Sequence, residues 1–162
     1  MQQPLAWNDA FSVAHPVLDH EHRAIIDAIN GIAEMQAGEA DNARLRPLLC
    51  ALKEKVAAHF EHENAMLREI AACTGSLRSS QRFLAAMSEA LVLEHLSEHA
   101  EALSLLDSMI CETLAMSGVP PHVLDERLAH WFVNHAVKHD AHLKTLFQTL
   151  EHDCPKLLSE IA

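Results

Sequence analysis

Apolar residues recur along most of the chain at alternating spacings of four and three positions, the pattern of a helix with one buried face. The clearest stretch runs from Leu45 to Ile70, and similar stretches begin near Leu18, Leu84 and Leu124. Segments that contain Gly and Pro separate these stretches. The pattern predicts four helices. The first begins near Asp19, the second runs from about Ala43 to Cys73, the third runs from about Ser80 to Met116, and the fourth occupies the chain after Pro121.

Four amphipathic helices with short connections favour an all-α, up-down-up-down four-helix bundle. The 162 residues fit one domain (1–162), and the low content of 4 Gly and 6 Pro agrees with a helical fold. Residues 1–17 lack helical periodicity but contain Trp7 and Phe11, so we expect an N-terminal arm that packs on a bundle of residues 18–162. We expect Asp19 to cap the first helix.

Acidic residues outnumber basic ones, with 23 Asp and Glu against 12 Lys and Arg and a formal charge of −11. This balance argues against nucleic acid or an anionic membrane surface as a partner. The N-terminus lacks the order of a signal peptide, and no apolar run is long enough to span a bilayer. We therefore expect a soluble, cytoplasmic protein. The 4 cysteines have neither metal nor redox spacing and are expected to be isolated, buried thiols.

Residue types that bind metals interrupt the apolar face of every predicted helix. Burying an imidazole or a carboxylate is costly unless something inside the protein binds it. Residues four apart on a helix lie side by side, so His59 pairs with Glu63 and His95 pairs with His99. One buried histidine is commonly a hydrogen-bonded core residue, but the joint pattern on four helices favours a metal site in the bundle core. The candidate ligands from this pattern are His22, His59, Glu63, His95, His99 and His135.

The last helix offers two further candidates for a ligand next to His135. His139 follows it by four residues and Asp140 follows it by five. Helical periodicity slightly favours His139, because residues four apart share a face. The spacing alone leaves both residues open.

The chain contains, in order, the motifs Trp7, Phe11-Ser12-Val13, Asp19-x-x-His22, His59-Phe60-x-x-Glu63, His95-x-x-x-His99 and Trp131-x-x-x-His135-x-x-x-x-Asp140. With these motifs the chain resembles the hemerythrin family in its bacterial single-domain form, the bacteriohemerythrins, and the resemblance covers nearly its whole length. By this resemblance Asp140, rather than His139, is the seventh ligand.

The resemblance implies a non-haem di-iron centre that binds dioxygen reversibly. The implied ligands are His95, His99 and His135 on one iron, His22 and His59 on the other, and Glu63 and Asp140 bridging both irons together with an oxo or hydroxo group. Dioxygen would bind at the open position of the iron that has two histidines. Imidazole and carboxylate ligands suit iron. The Glu-x-x-His motif of ferritin-like di-iron bundles is absent from the sequence.

Reversible binding of dioxygen also requires a pocket that excludes water. Two residues depart from the family pattern near this pocket. Ala136 stands where a bulkier aliphatic residue is common, and Glu21 stands before His22 in place of the usual Gln. We expect Ala136 to widen the pocket and Glu21 to place more negative charge on the imidazole of His22. The expected wall residues are Ile25, Met66, Trp131, Phe132 and Ala136.

The intervals between the ligand motifs are longer than in compact members of the family, which predicts longer helices. Their extra surface is expected to serve a protein partner or a second copy, so the chain is expected to be a monomer or a homodimer. The leading hypothesis is a non-enzymatic protein that stores, delivers or senses dioxygen. The alternatives are a di-iron enzyme that reacts with peroxide, nitric oxide or another small oxidant, and an interaction module that responds to oxygen or redox state.

Overall fold

A computed structural model describes residues 3–36, 42–74, 82–115 and 121–153. Within these ranges the chain is helical, apart from the arm that precedes the first helix, and contains no strand. The all-α prediction is therefore confirmed. The connections predicted around Gly38, Gly75 and Gly118 lie outside the described residues. The elements are α1 (Pro16–Gln36), α2 (Asn42–Thr74), α3 (Arg82–Ala115), α4 (Pro121–Asn134), a π-helical segment (His135–His139) and α5 (Ala141–Asp153).

The helices form an antiparallel bundle in which α4, the π-helical segment and α5 make up the fourth rod. Helix α1 packs against α2 and α4, α2 packs against α3, and α3 reaches the π-helical segment. The antiparallel direction of α2 and α3 is evident because Lys53 pairs with Asp107 whereas Glu63, further along α2, contacts His95. This arrangement confirms the predicted four-helix bundle.

Buried apolar side chains form two clusters at different levels of the bundle. The larger cluster contains Ile25 and Phe132, and the smaller one contains Leu18 and Phe147. The buried polar residue His22 lies between Leu18 and Ile25 on α1, so the polar layer falls between the two clusters. Each fully buried large apolar side chain contributes about 1.5–3 kcal/mol to stability.

Helix α1 begins at Pro16, three residues before the predicted start. Proline suits the first helical position because that position needs no backbone N–H donor. The prediction that Asp19 caps the helix is wrong. Its carboxylate instead accepts hydrogen bonds from the Ser12 hydroxyl at 2.7 Å and the Val13 backbone N–H at 2.8 Å. Asp19 therefore fastens the preceding arm to α1.

The arm lies along α1 and is attached at several points. The side-chain amide of Asn30 forms two hydrogen bonds with the backbone of Leu5, at 2.8 and 2.9 Å. The guanidinium of Arg23 lies 3.5 Å from the ring centroid of Trp7, a cation–π contact. The ring of Phe11 is buried in the larger apolar cluster. The arm thus reaches the level of the bundle at which the polar layer lies.

Two predictions about the surface can be compared with the described residues. Cys50 and Cys111 are free but exposed, so the prediction of buried thiols is wrong for both; Cys154 lies outside the described residues, and the burial of Cys73 is not described. Among the described helices, none is apolar over a length that would cross a bilayer.

Candidate metal centre

The π-helical segment decides which residue after His135 faces the core. The backbone N–H of Asp140 donates to the carbonyl of His135 at 3.3 Å, so the hydrogen bond spans five residues rather than four. The wider turn places Asp140 on the same face as His135 and fully buries its carboxylate. His139 turns outward and its Nδ1 contacts Glu98 at 2.7 Å. The periodicity that favoured His139 is wrong here, because it assumed an uninterrupted α-helix.

The first half of the buried polar layer joins α1 and α2. The Nε2 atoms of His22 and His59 are 2.9 Å apart. The Nε2 of His22 is 3.3 Å from Oδ2 of Asp140, and the Nε2 of His59 is 3.4 Å from Oε1 of Glu63. Two imidazoles and two carboxylates therefore converge from three of the four rods.

The second half joins α2, α3 and the fourth rod. Glu63 Oε2 lies 3.3 Å from Nε2 of His95 and 3.1 Å from Nε2 of His99. The Nε2 of His135 lies 3.3 Å from Oδ1 of Asp140. The structure thus brings together all seven side chains that the sequence proposed as ligands, and each is at most 5% exposed.

Several polar atoms of this centre have no hydrogen-bond partner among the described residues. They include Oε1 of Glu63, Nε2 of His99, Nε2 of His135 and both carboxylate oxygens of Asp140. Buried polar atoms in proteins are almost always satisfied, so this many unsatisfied atoms in one place require an explanation. A cation bound among them satisfies lone pairs on nitrogen and oxygen together. The residues therefore fit a metal ion, and imidazole with carboxylate is a donor set suited to iron.

Two groups of four ligand atoms satisfy the spacing needed to share an ion, with all atoms of a group within 4.8 Å of one another. Glu63 and Asp140 are members of both groups. His22 and His59 complete the first group, whereas His95 and His99 complete the second. His135 joins the second group through its contact with Asp140.

The ionisation states of Glu63 and His135 in the metal-free centre suit the binding of a cation. Burial opposes the charge of Glu63, but the imidazoles of His59, His95 and His99 outweigh burial and hold its pKa well below the usual value. Burial lowers the pKa of His135 to about 4. This imidazole is therefore neutral at physiological pH, the state in which it can bind a metal.

Two other imidazoles shift in the opposite direction. Burial alone would lower the pKa of His22, but the carboxylate of Asp140, 3.3 Å from Nε2 of His22, raises it overall. The pKa of His95 is likewise raised, because the contacts with Glu63 outweigh burial. A metal binds only the deprotonated Nε2, so the raised pKa values of His22 and His95 make metal binding at these imidazoles compete with protons.

Residues 13–147 match the model of the hemerythrin HHE cation-binding domain family. The chain belongs to this family. No curated protein and no solved structure matches it. The cation-binding description of the family agrees with the two groups of buried ligand atoms, which lie within the matched residues. The centre therefore has the ligands to hold a metal ion, and the hemerythrin family of the chain indicates non-haem iron.

The outward-facing nitrogens of two imidazoles in this hemerythrin domain are held by neutral acceptors. Phe11, in the arm, accepts a hydrogen bond at its carbonyl from Nδ1 of His22 at 2.7 Å. Asn64, on α2, accepts one at Oδ1 from Nδ1 of His99 at 3.0 Å. Donation by Nδ1 leaves the Nε2 lone pair directed at the centre. Sequence reasoning missed both acceptors; the carbonyl of Phe11 gives no sequence signal, but Asn64 directly follows the predicted ligand Glu63 in the sequence.

Glu21 holds the imidazole of His59, because its Oε2 lies 3.0 Å from Nδ1 of His59. The expectation that Glu21 acts on His22 is wrong. Neighbouring residues on an α-helix point about 100° apart, so Glu21 projects toward α2 while His22 projects into the core.

Aromatic rings pack against the imidazoles of the hemerythrin centre. Phe60 stacks on His99 with centroids 3.8 Å apart and planes 3° apart. Phe132 contacts His22 edge-on at 5.6 Å. These rings restrict the orientation of the imidazoles and displace water from one side of each. Phe60 occupies a motif position that carries no ligand, so its packing role escaped the sequence interpretation.

Four of the five expected wall residues of the pocket lie in the larger apolar cluster, on one side of the centre. These are Ile25, Trp131, Phe132 and Ala136. Met66 is half-buried and packs against the smaller cluster instead, on the other side.

A groove open to solvent runs along the surface between α3 and the fourth rod. Trp131, His135 and His139 line it on one side, and Glu98 and Leu105 line it on the other. The groove reaches the imidazole of His135 from outside. Ala136 is buried and does not line it.

Proposed function

We propose that this hemerythrin domain holds two iron ions in its core and binds dioxygen reversibly there. The observation that carries the proposal is the sharing of Glu63 and Asp140 between two groups of ligand atoms. A carboxylate that belongs to two adjacent sites can bridge two ions, and two such bridges offset part of their positive charge.

The contacts of each half support a division of the imidazoles between the two ions. The His22 and His59 half supplies two imidazoles, whereas the His95, His99 and His135 half supplies three. With the bridging carboxylates shared equally, the first ion keeps one ligand fewer. We assign the exchangeable ligand to that half for this reason.

A pair of ferrous ions supplies the electrons that reversible binding of dioxygen requires. The chain contributes a surrounding from which water is excluded. His22 and His59 are at most 1% exposed, and Phe132 and Ile25, at most 2% exposed, lie in the apolar cluster beside them. Excluding water from this side prevents protons from reaching the ligand and promoting irreversible oxidation.

The groove favours a second candidate function, in which the centre turns over a small oxidant such as peroxide or nitric oxide. It brings solvent to the imidazole of His135, at the half with three histidines. An electron donor that docks there would be close to an iron ligand. Turnover, rather than reversible binding, would follow.

The two functions are separated by titrating an anaerobic ferrous sample with dioxygen while its visible absorbance is recorded. Reversible binding predicts charge-transfer bands that appear with dioxygen and disappear when argon replaces it, over several cycles. Bands that fade while the oxidant is consumed beyond the protein concentration support turnover. A ferrous sample whose spectrum does not respond to dioxygen contradicts the primary proposal.

A further inference from the structure

Glu21 lies between a buried imidazole and a surface imidazole. Its Oε2 is 3.0 Å from Nδ1 of His59, and its Oε1 is 2.5 Å from Nδ1 of His62. The exposure of the three side chains rises outward, from 1% for His59 to 20% for Glu21 and 56% for His62. We propose that Glu21 is a positioning residue for the His59 ligand, and that His62 holds Glu21 in its working orientation.

Hydrogen-bond chemistry sets the tautomer of both imidazoles. An ionised carboxylate only accepts hydrogen bonds, so Nδ1 of His59 and Nδ1 of His62 both donate to Glu21. In neutral His59 the Nε2 atom then carries a lone pair, and this is the atom that lies 3.4 Å from Glu63 in the core. Glu21 thus directs the metal-binding nitrogen of His59 toward the centre.

The position of His62 explains why the carboxylate stays in place. Glu21 has three rotatable side-chain bonds and is partly exposed, so one hydrogen bond to His59 leaves it free to turn toward water. His59 and His62 are three residues apart on α2 and therefore project from neighbouring positions on one side of that helix. Their two N–H donors hold the two oxygens of one carboxylate that arrives from α1.

The chemistry of Glu21 differs from that of the other outward acceptors. Phe11 presents a neutral carbonyl to His22, and Asn64 presents a neutral amide to His99. Glu98 is a carboxylate, but it lies 3.8 Å from Nδ1 of His95, beyond hydrogen-bond distance. Among the described hydrogen bonds to the outer nitrogens of these imidazoles, the one with a charged acceptor is the bond from His59 to Glu21. A charged acceptor makes the imidazole a stronger donor to a metal.

This inference rests on the proposed function, because His59 is a ligand of the proposed site. The test uses the full chain stripped of metal and titrated with Co²⁺, a spectroscopic probe that dioxygen does not complicate. The number of ions bound and each affinity are measured by calorimetry and by the visible spectrum. Loss of a hydrogen-bond partner of a metal ligand typically weakens affinity about 10- to 100-fold, and we expect this for Glu21→Ala at one of the two ions.

Two further variants and one control isolate the positioning role. Glu21→Gln keeps an oxygen for the His59 N–H and should recover part of the lost affinity. His62→Ala should weaken the same ion by a smaller factor, because Glu21 keeps one of its two partners. Glu61→Ala is the matched control: it also removes a carboxylate, from the turn of α2 that carries His59 and His62, where the Glu61 side chain is 70% exposed and its ion pair is with Arg68.

A second readout needs no metal. The imidazole nitrogen shifts of His59, measured by NMR in the metal-free chain, should report a proton on Nδ1 in the wild type and in Glu21→Gln. In Glu21→Ala the imidazole should populate both tautomers.

The outcomes separate this inference from the proposed function. A wild-type chain that binds no stoichiometric metal contradicts the proposed function. If the wild type binds two ions while Glu21→Ala matches Glu61→Ala in affinity and in its His59 shifts, the positioning role of Glu21 is overturned. If only His62→Ala matches the control, the role of His62 is overturned.

Discussion

Replacing Asp19 with alanine should loosen the arm and, through it, the imidazole of His22. The carboxylate of Asp19 fixes Ser12 and Val13, the two residues that follow Phe11, with hydrogen bonds of 2.7 and 2.8 Å. The carbonyl of Phe11 in turn holds Nδ1 of His22 at 2.7 Å. One substitution on the outside of α1 therefore reaches a ligand in the core.

The size of the effect follows from the two hydrogen bonds. Bonds to a charged group contribute about 1.5–3 kcal/mol each, and the lower value applies because Asp19 is only half-buried. We expect Asp19→Ala to lower the free energy of unfolding by about 3 kcal/mol, and Asp19→Asn by about 1 kcal/mol, because an amide oxygen still accepts from Val13. Metal affinity should fall about 10-fold in Asp19→Ala as His22 loses its acceptor.

Urea unfolding of the metal-free chain measures the first effect, and Co²⁺ titration measures the second. Asp27→Ala is the matched control, since Asp27 is an exposed carboxylate on the same helix. The control should stay within about 0.5 kcal/mol of the wild type. An Asp19→Ala variant as stable as this control would show that the arm does not depend on that carboxylate.

Three further predictions concern the centre itself. The pKa of His135 falls from 6.5 to about 4 on folding, so its contribution to stability is complete above pH 6.5 and is lost as the pH falls toward 4. We expect this one imidazole to account for a loss of about 3 kcal/mol in the metal-free chain, measured in urea titrations as the part of the pH dependence that His135→Asn removes. Asn64→Ala should lower the stability of the metal-free chain by about 1–3 kcal/mol, measured in the same way, because the buried Nδ1 of His99 loses its acceptor. If Ala136 widens the pocket as the sequence predicts, Ala136→Ile should slow the loss of the dioxygen-dependent absorbance, although added volume in the buried cluster costs about 1–3 kcal/mol. An unchanged or faster loss contradicts the expectation that Ala136 widens the pocket.

Apolar periodicity was sufficient to predict the helices, because it follows from the burial of one face of each. It predicted the bundle and placed His22, His59 and His95 toward the core, where the structure has them. Periodicity failed at the one turn that is not α-helical. The hydrogen bond from Asp140 to His135 spans five residues, a geometry that a four-three repeat does not describe.

The contacts of polar side chains outside the apolar faces were not predictable from spacing. Aspartate commonly caps the N-terminus of a helix, yet Asp19 binds the arm because α1 begins earlier, at Pro16. Glu21 adjoins His22 in sequence, yet it contacts His59 on another helix. Such contacts depend on how two helices are rotated against each other, which a pattern along one helix does not specify.

The measurement that most directly tests the account is the iron content of the reconstituted chain, compared with that of Glu63→Ala and His22→Ala. The shared carboxylates predict two ferrous ions per wild-type chain. His22→Ala should weaken mainly one ion, whereas Glu63→Ala should weaken both, because Glu63 belongs to both groups of ligands. A wild-type chain that retains one ion or none, or a Glu63→Ala variant that holds two ions as tightly as the wild type, would contradict the account.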